Sequence, residues 1–422
     1  MVQGQGCSRF ARVSMLFVLA AALPALFPSA ALALPAWSRK YDVPCSTCHY
    51  PAPPRLNVYG QKFRRAQYRL PDEFDKQADW KSAGNYLSAR ISGGYEYDSP
   101  KAGFPGSDGV TSTFVLDSVA LFYAGPLGKN FSGWVEMERP GDSSEIELAA
   151  SIGGIRGTPE SFWTFRLGQF HTLGEHGFGG IDRPTGLTSP LSFAGPLVGN
   201  NDFALSQSQV GVEGNYIHGN SSFTARVMNG ASLFTGPDGA KTTDQSDQNK
   251  QKDYFLAYEL LWGSTASGLT VFGYDGRQED PADLATPPGV VKVRRYGASA
   301  AQVFKGGFEV QGGFMKGKDD YSLTFPAVTG VNAIDGQGYW VELEQYLSKA
   351  KDLTILARWD SLDPDTDVSS DTRTQLTVGV VMPVADWHCR WTIELRSITQ
   401  EDPATNDSLR DKQAAADLTL AF

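Results

Sequence analysis

Short stretches in which apolar and polar residues alternate fill most of the chain beyond residue 84. In the stretch 163–168, for example, every second residue is apolar (Trp163, Phe165, Leu167), and the residues between them are small or polar. A period of two is typical of strands that present one apolar face. The pattern predicts about sixteen strands. They start near residues 84, 112, 129, 144, 162, 206, 221, 252, 267, 294, 307, 337, 351, 373, 388 and 413.

The connections between the predicted strands alternate in length. Short ones (218–220, 263–267, 305–307) stand between long polar ones, 230–251, 277–293 and 317–336. A soluble β-sandwich shows the same alternation of residues, so the connections decide between the two architectures. Short turns at one end, long loops at the other and an even strand number favour an all-β fold, an antiparallel transmembrane outer-membrane β-barrel over 84–422. Closure also removes unpaired strand edges.

One predicted loop is longer than its neighbours. It runs from the strand ending near Phe170 to the strand starting near Ser206 and contains His171 and His176. Loops of this length inside a compact architecture are usually functional. It resembles the loop that general porins fold into the lumen, and the resemblance implies that it enters the barrel here too.

The first 33 residues have the features of a secretory signal peptide. Arg9 and Arg12 precede an apolar run from Val13 to Phe27, and small residues at 31–33 form a cleavage site. A retained membrane helix is the alternative, but the run is short and contains Pro24. Removal of residues 1–33 discards Cys7, so Cys389 is then the only cysteine outside the motif described next.

The head of the mature chain, residues 34–81, contains the motif Cys45-Ser46-Thr47-Cys48-His49. Two cysteines three positions apart and a following histidine form the attachment signature of a c-type haem, with the histidine as proximal iron ligand. The alternatives are half of a zinc site or a disulfide, but zinc takes about four ligands and the chain has no second cysteine pair. The motif predicts one covalent haem c, which a head this small cannot bury without the barrel.

Charge and composition exclude several classes of function. The formal net charge is −10, which is unsuited to nucleic acid and compatible with attracting cations. The chain shows no nucleophile triad, phosphate loop or catalytic metal cluster, so hydrolytic and group-transfer chemistry are unsupported. If the protein is an enzyme, the motif favours an electron-transfer oxidoreductase.

Several segments of the head resemble one family. They are Leu34 to Tyr41, the Cys45 to His49 motif, Pro54 to Asn57, Gly60, Phe63 and Tyr68 to Pro71. Together with the order of signal peptide, monohaem head and about sixteen strands, they are similar to the fused outer-membrane monohaem cytochrome-porin family, the family of the iron(II)-oxidising outer-membrane cytochrome c. The alternating end of the chain, Asp417 to Phe422, resembles the insertion signal of bacterial outer-membrane barrels.

The resemblance implies a location in the lipid of the outer membrane, with both termini on the periplasmic side or inside the barrel. It implies electron transfer from extracellular iron(II) to a periplasmic carrier, either a cytochrome or a cupredoxin. For the second axial haem ligand we expect His171 or His176, provided that the long loop enters the lumen. Carboxylates predicted to face the lumen would attract iron(II); these are Glu136, Glu138, Glu342, Glu344 and Glu394.

Two other functions stay open at this point. In the first, the protein is a solute-conducting porin with an accessory haem. Arg166, Arg358 and Arg396 in the predicted lumen favour this function. In the second, electrons pass outward to an extracellular acceptor. Ion conductance distinguishes the first from electron transfer, because a barrel plugged by its head passes little current.

Overall fold

The structure is a computed structural model. It describes residues 36–51, 53–78, 84–101, 104, 109–141, 146–171, 184–199, 203–230, 232–235, 241–244, 251–280, 289–321, 333–347, 352–384, 387–402, 405 and 407–422. Within these ranges, no helix combines the length and the apolar character needed to cross a membrane.

Sixteen antiparallel strands close into a barrel, as the alternation predicts. The first seven are β1 (Leu87–Asp98), β2 (Thr111–Pro126), β3 (Phe131–Pro140), β4 (Glu147–Thr158), β5 (Ser161–His171), β6 (Ser208–His218) and β7 (Ser221–Met228). The other nine are β10 (Asp253–Trp262), β11 (Ser267–Asp280), β12 (Gly289–Val303), β13 (Phe308–Asp320), β14 (Ala333–Leu347), β15 (Leu353–Asp363), β16 (Arg373–Val384), β17 (Cys389–Glu401) and β18 (Ser408–Ala421). β1 pairs with β18, and this pairing closes the barrel.

A separate two-stranded sheet interrupts the predicted loop 230–251. Its strands are β8 (Ser232–Thr235) and β9 (Lys241–Asp244), which pair only with each other. The prediction of a loop throughout 230–251 is therefore wrong over these two strands. Both strands have only four residues, too few for a periodic pattern to stand out.

The barrel wall is apolar outside and polar inside. Trp163 is 61% exposed, whereas the adjacent Thr164 and Arg166 are 3% and 9% exposed. A soluble β-sandwich would bury the apolar face of such a strand and expose the polar one. An outward apolar face therefore indicates a barrel with lipid around it.

The two ends of the barrel differ as predicted. The short connections all lie at one end; they are 127–130, 159–160, 219–220, 263–266, 304–307, 348–352 and 385–388. The opposite end carries the longer connections, among them 172–207 and 321–332. We call these the turn end and the loop end; in outer-membrane barrels short turns face the periplasm.

The head occupies the turn end of the barrel. It contains helices at Ala36–Tyr41 and Val58–Arg65 and 3₁₀ turns at Cys45–Thr47 and Pro71–Glu73. The Val58 amide donates to the carbonyl of Thr265 in the β10–β11 turn at 3.1 Å. Arg69 Nη2 donates to the Phe131 carbonyl at the start of β3, at 2.9 Å. Turns from different sides of the barrel thus hold the head in the mouth.

The described part of the loop between β5 and β6, residues 184–199 and 203–207, enters the lumen, as expected from the length of the loop. Thr188 Oγ1 donates to Glu394 Oε1 on β17 at 2.6 Å, and the Leu191 amide donates to Asp360 on β15 at 3.1 Å. Beyond these contacts, apolar loop residues pack on inward-facing residues of the wall. This lumen apolar cluster includes Phe193, Leu197 and Phe203 from the loop and Phe255, Phe272 and Trp340 from the strands. The loop therefore fills part of the lumen.

Candidate haem site at the turn end of the barrel

The two cysteines of the motif lie on a single tight turn. The Cys48 amide donates to the Cys45 carbonyl at 3.1 Å, and the His49 amide donates to the same carbonyl at 3.0 Å. Neither cysteine is in a disulfide. Burial and, to a smaller extent, the nearby Cys45 raise the pKa of the Cys48 thiol to about 11. The turn thus presents two free thiols together with the imidazole.

The imidazole of His49 is oriented by the backbone of Arg55. Its Nδ1–H donates to the Arg55 carbonyl at 3.0 Å, and the two segments also pair through His49 and Leu56. A histidine that donates from Nδ1 to a carbonyl coordinates a metal through Nε2. This is the usual arrangement of a metal-ligating histidine, so His49 fits the role of proximal haem ligand.

The Val58–Arg65 helix supports the motif from behind. Asn57 caps this helix by accepting from the Gly60 amide at 2.9 Å, and its Nδ2 donates to the Thr47 carbonyl at 3.0 Å. At Gly60 the helix comes so close to the motif that a Cβ atom would overlap the carbonyl oxygen of Cys48. The cap and the close approach hold the turn in one conformation.

The motif is partly accessible. Cys45, Cys48 and His49 are half-buried, and Ser46 and Tyr59 beside them are exposed. The spacing of two thiols and an oriented imidazole on an accessible face fits covalent attachment of haem c, with His49 as its ligand. Among the described residues, no group of three or more His, Cys, Asp or Glu side chains is placed to hold a metal ion.

The other face of the head carries arginines into the lumen. Arg55 Nη1 donates to Glu344 Oε1 at 2.7 Å, and its Nη2 also pairs with Glu309. Thr185 of the β5–β6 loop donates to the same Glu344 oxygen at 2.9 Å. Burial opposes the charge of Arg55, but the two glutamates outweigh it and raise the pKa of the guanidinium. A second pair, Arg65 with Glu259, joins the head to β10.

The predicted lumen carboxylates do face inward, and each has a cationic or hydrogen-bonding partner. Glu344 is held by Arg55, and Glu394 by loop residues. Arg90 pairs with Glu138 at 2.6 Å and lies 3.9 Å from Glu136. Arg358 Nη1 lies 3.4 Å from Glu342 Oε2. These carboxylates therefore stabilise the head, the loop and the wall.

The contacts described above do not test the prediction that His171 or His176 is the second axial haem ligand. The backbone of His171 pairs with Ser208 at the loop end of β5, opposite the turn that faces the head. The side chain of His171 and all of His176 lie outside the described residues. A role for either as a haem ligand stays a prediction.

Neither a protein-family model nor a curated protein matches the sequence. Solved structures do match the barrel. One is the anion-selective porin from Comamonas acidovorans, with a TM-score of 0.56, 10% identity and coverage of 80% of this chain and 98% of that one. Another is the outer-membrane channel DcaP of Acinetobacter baumannii, with a TM-score of 0.52, 13% identity and coverage of 80% and 96%. The chain has the fold of an outer-membrane porin.

A third match to the porin fold is a loop-deletion mutant of OmpT, an outer-membrane protein of Vibrio cholerae. Its TM-score is 0.51 at 11% identity, with coverage of 80% of this chain and 98% of that one. At these identities the likeness concerns the fold alone. The head, its motif and its arginines are argued from the contacts of this chain.

Sequence reasoning missed the role of Arg55. Its position in the segment Pro54 to Asn57 places it beside the motif, but its partners Glu309 and Glu344 lie far along the chain. The sequence shows a basic residue in the head and glutamates in the predicted strands. Their spacing in the sequence does not indicate which of them form an ion pair.

Proposed function

We propose that this protein carries electrons across the outer membrane through one covalent haem c seated at the periplasmic mouth of a porin barrel. Cys45 and Cys48 attach the haem and His49 is its proximal ligand. Extracellular iron(II) is the electron donor, and a periplasmic cytochrome or cupredoxin is the acceptor. When bound, haem c supplies a one-electron redox centre.

The observation that carries this proposal is the double role of Arg55. Its carbonyl accepts the Nδ1–H of His49 at 3.0 Å, and its guanidinium binds Glu344 at 2.7 Å inside the barrel. A single residue therefore orients the ligand and anchors it to the wall. Such a link suits a redox centre whose position relative to the membrane matters, and an accessory head would not need it.

The two faces of the head differ in accessibility, and this difference favours one side for contact with a periplasmic electron carrier. The exposed residues Ser46 and Tyr59 flank the motif. A soluble periplasmic carrier can approach that side. The opposite side is occupied by Arg55 and Arg69, both 2% exposed.

Conduction of solutes is the second candidate, because the fold is that of a porin. The head in the mouth and the lumen apolar cluster around Phe193 favour electron transfer over it. A lumen narrowed by the loop and the head also suits iron(II) oxidation, because the mineral-forming product would then stay outside the cell.

The test uses the purified, air-oxidised full-length protein. A pyridine haemochrome spectrum establishes whether haem c is attached, and stopped-flow absorbance at the α-band follows its reduction by iron(II). We expect fast reduction at iron(II) concentrations that leave an unrelated cytochrome oxidised. Reduction by dithionite but not by iron(II) would exclude iron(II) as donor, and open-channel conductance in planar bilayers would favour the porin. Absence of haem would overturn the proposal entirely.

A further inference from the structure

Three cationic side chains lie together on the outer face of the barrel at the loop end. Arg410 and Lys412 near the start of β18 are exposed, whereas Asp411 between them is 2% exposed and faces the lumen. Beyond the end of β1, the Ser99 amide donates to the Lys412 carbonyl at 2.9 Å, and the Lys101 amide donates to the Arg410 carbonyl at 2.8 Å. The register of β1 on β18 therefore continues, and the exposed Lys101 lies directly opposite Arg410. We call Lys101, Arg410 and Lys412 the outer cationic patch.

The charge of the outer cationic patch is not neutralised by the chain. Among the described residues, no carboxylate forms an ion pair with any of the three cations; Glu401 of β17 lies on the same face, one pleat nearer the loop end, but outside ion-pair distance. Other outward cations at this end are paired: Arg294 Nε lies 3.2 Å from Asp275 Oδ2, and Lys318 Nζ lies 3.1 Å from Asp335 Oδ2. Like charges directly opposite each other on antiparallel strands are destabilising. The arrangement therefore favours binding of an anion that the chain itself does not supply.

An apolar furrow runs along the outer face of β18 from the patch toward the middle of the barrel. The outward residues of β18 in this stretch are Ala414 and Ala416. On β1, Tyr97 lies opposite Ala414 and Tyr95 lies opposite Ala416. On the other side, Leu395 of β17 also lies opposite Ala414 and is 46% exposed. Small side chains between two rows of larger ones leave a shallow channel, which we call the β18 furrow and which suits an extended acyl chain.

The tyrosines beside the furrow place the patch at the level of lipid head groups. Outer-membrane barrels carry girdles of aromatic residues at both membrane interfaces. Tyr95 and Tyr97 lie on the outer face near the loop end, and the Tyr95 hydroxyl is hydrogen-bonded to Ser112 Oγ at 2.7 Å. Lys412 is two residues beyond Ala414, so the patch begins about 7 Å nearer the loop end than Tyr97. Because the loop end faces the cell exterior, head groups at this level belong to the outer leaflet.

We propose that the outer cationic patch and the β18 furrow together bind one phosphorylated glycolipid of the outer leaflet. Such a lipid carries phosphate groups on its sugars and several acyl chains. Arg410, Lys412 and Lys101 donate charge-assisted hydrogen bonds to the phosphates, and the guanidinium matches phosphate geometry best. The furrow holds one acyl chain. The site lies on the outer wall of the barrel and is independent of the haem motif.

The experiment measures binding of bisphosphorylated lipid A, a glucosamine disaccharide with two phosphates and several acyl chains, to the full-length protein in detergent. Native mass spectrometry reports the lipid-bound fraction. The test variant combines Arg410→Gln with Lys412→Gln. The control combines Arg294→Gln with Lys318→Gln, which removes the same charge from the same face and end of the barrel, but from cations that are already paired. Heat-modifiable migration on gels checks that each variant keeps the folded barrel.

We expect the wild type and the control to bind lipid A equally. The patch variant should bind it about 25-fold more weakly, at about fivefold for each cation removed. Fully dephosphorylated lipid A should bind the wild type as weakly as lipid A binds the patch variant. Equal binding of lipid A by the patch variant and the control would overturn the proposal. Displacement of the lipid by an equal concentration of inorganic phosphate would also overturn it, because the patch would then be a site for a free anion.

Ala414→Phe tests the furrow separately from the patch, because it fills the furrow and keeps all three cations. We expect binding of lipid A to fall severalfold in this variant. Ala298→Phe, which enlarges a small outward residue of β12, should bind as the wild type does. Unchanged binding by Ala414→Phe would overturn the assignment of the furrow. A dimer that forms without lipid A and is lost in Ala414→Phe would assign this face to a second copy of the chain and overturn the proposal.

Discussion

Arg55 of the head and Glu344 of β14 meet inside the barrel, with Arg55 Nη1 donating to Glu344 Oε1 at 2.7 Å. Both side chains are 2% exposed, and Glu309 on β13 pairs with the same guanidinium. A buried charge is tolerated only when it is paired and hydrogen-bonded. The contact therefore makes the head and the barrel dependent on each other.

Replacing Arg55 should release the head. Arg55→Met keeps the volume and the carbonyl that orients His49, but it leaves Glu309 and Glu344 without their cation. Breaking a buried pair in this way costs about 3–5 kcal/mol, so we expect the head to leave the mouth. Planar-bilayer recordings should show little current for the wild type and clear channel openings for the variant.

Lys76→Met is the matched control for that experiment. Lys76 pairs with Asp72 at 3.4 Å, but both side chains are mostly exposed, and exposed pairs contribute about 0–1 kcal/mol. Its conductance should equal that of the wild type. Unchanged conductance of Arg55→Met would show that other contacts, such as those of Arg69, hold the head without Arg55.

Variants of the motif should separate haem attachment from barrel assembly. We expect His49→Ala and Cys48→Ser to abolish the haem spectrum and iron(II) oxidation, because they remove the proximal ligand and one attachment thiol. The barrel should still form, since its strands pair with one another. Outer-membrane fractionation with heat-modifiable migration tests this. Loss of the barrel as well would make the head a folding element.

Gly60 should be essential for presentation of the motif. In Gly60→Ala the new Cβ overlaps the Cys48 carbonyl oxygen, so the helix and the motif must move apart. We expect the haem content per protein, measured as pyridine haemochrome, to fall severalfold. Gly84→Ala is the control, because a Cβ at Gly84 meets no atom within 4 Å. Equal haem content in both variants would contradict this account.

The stability of the head should depend on pH through Glu73. Its carboxylate accepts from Lys40 Nζ at 2.7 Å and from the Tyr41 hydroxyl at 2.7 Å. Burial opposes ionisation, but these hydrogen bonds outweigh it and lower the pKa of Glu73. The stabilisation is therefore complete above the ordinary glutamate pKa of about 4.3 and disappears as the pH falls through the lower, folded value.

Thermal melts of the head, followed by circular dichroism in the haem Soret band, measure this dependence. We expect the melting temperature of the wild type to decrease as the pH falls below about 4.3. Glu73→Gln should have a lower melting temperature than the wild type, and its melting temperature should not depend on pH in this range. Asp72→Asn, an exposed neighbour, should behave as the wild type. A Glu73→Gln profile that keeps the slope would assign it to another group.

The strand pattern could be predicted because it depends on neighbours in sequence. The starts predicted near 221, 267 and 373 coincide with those of β7, β11 and β16. The starts near 294 and 413 are late, because β12 begins at Gly289 and β18 at Ser408. At the loop end these strands extend into polar stretches such as Ser408 to Lys412, where no apolar alternation marks them.

The sequence by itself determined the strand number, the two unlike ends and the motif of Cys45, Cys48 and His49, because each depends on local periodicity, connection length or spacing. Only the tertiary structure decided which distant residues meet. Closure of β1 on β18 places Asp98 opposite Gln413, and docking of the head brings Arg55 to Glu344. Burial makes these charges depend on their partners, and no local pattern encodes a partner that lies across the barrel.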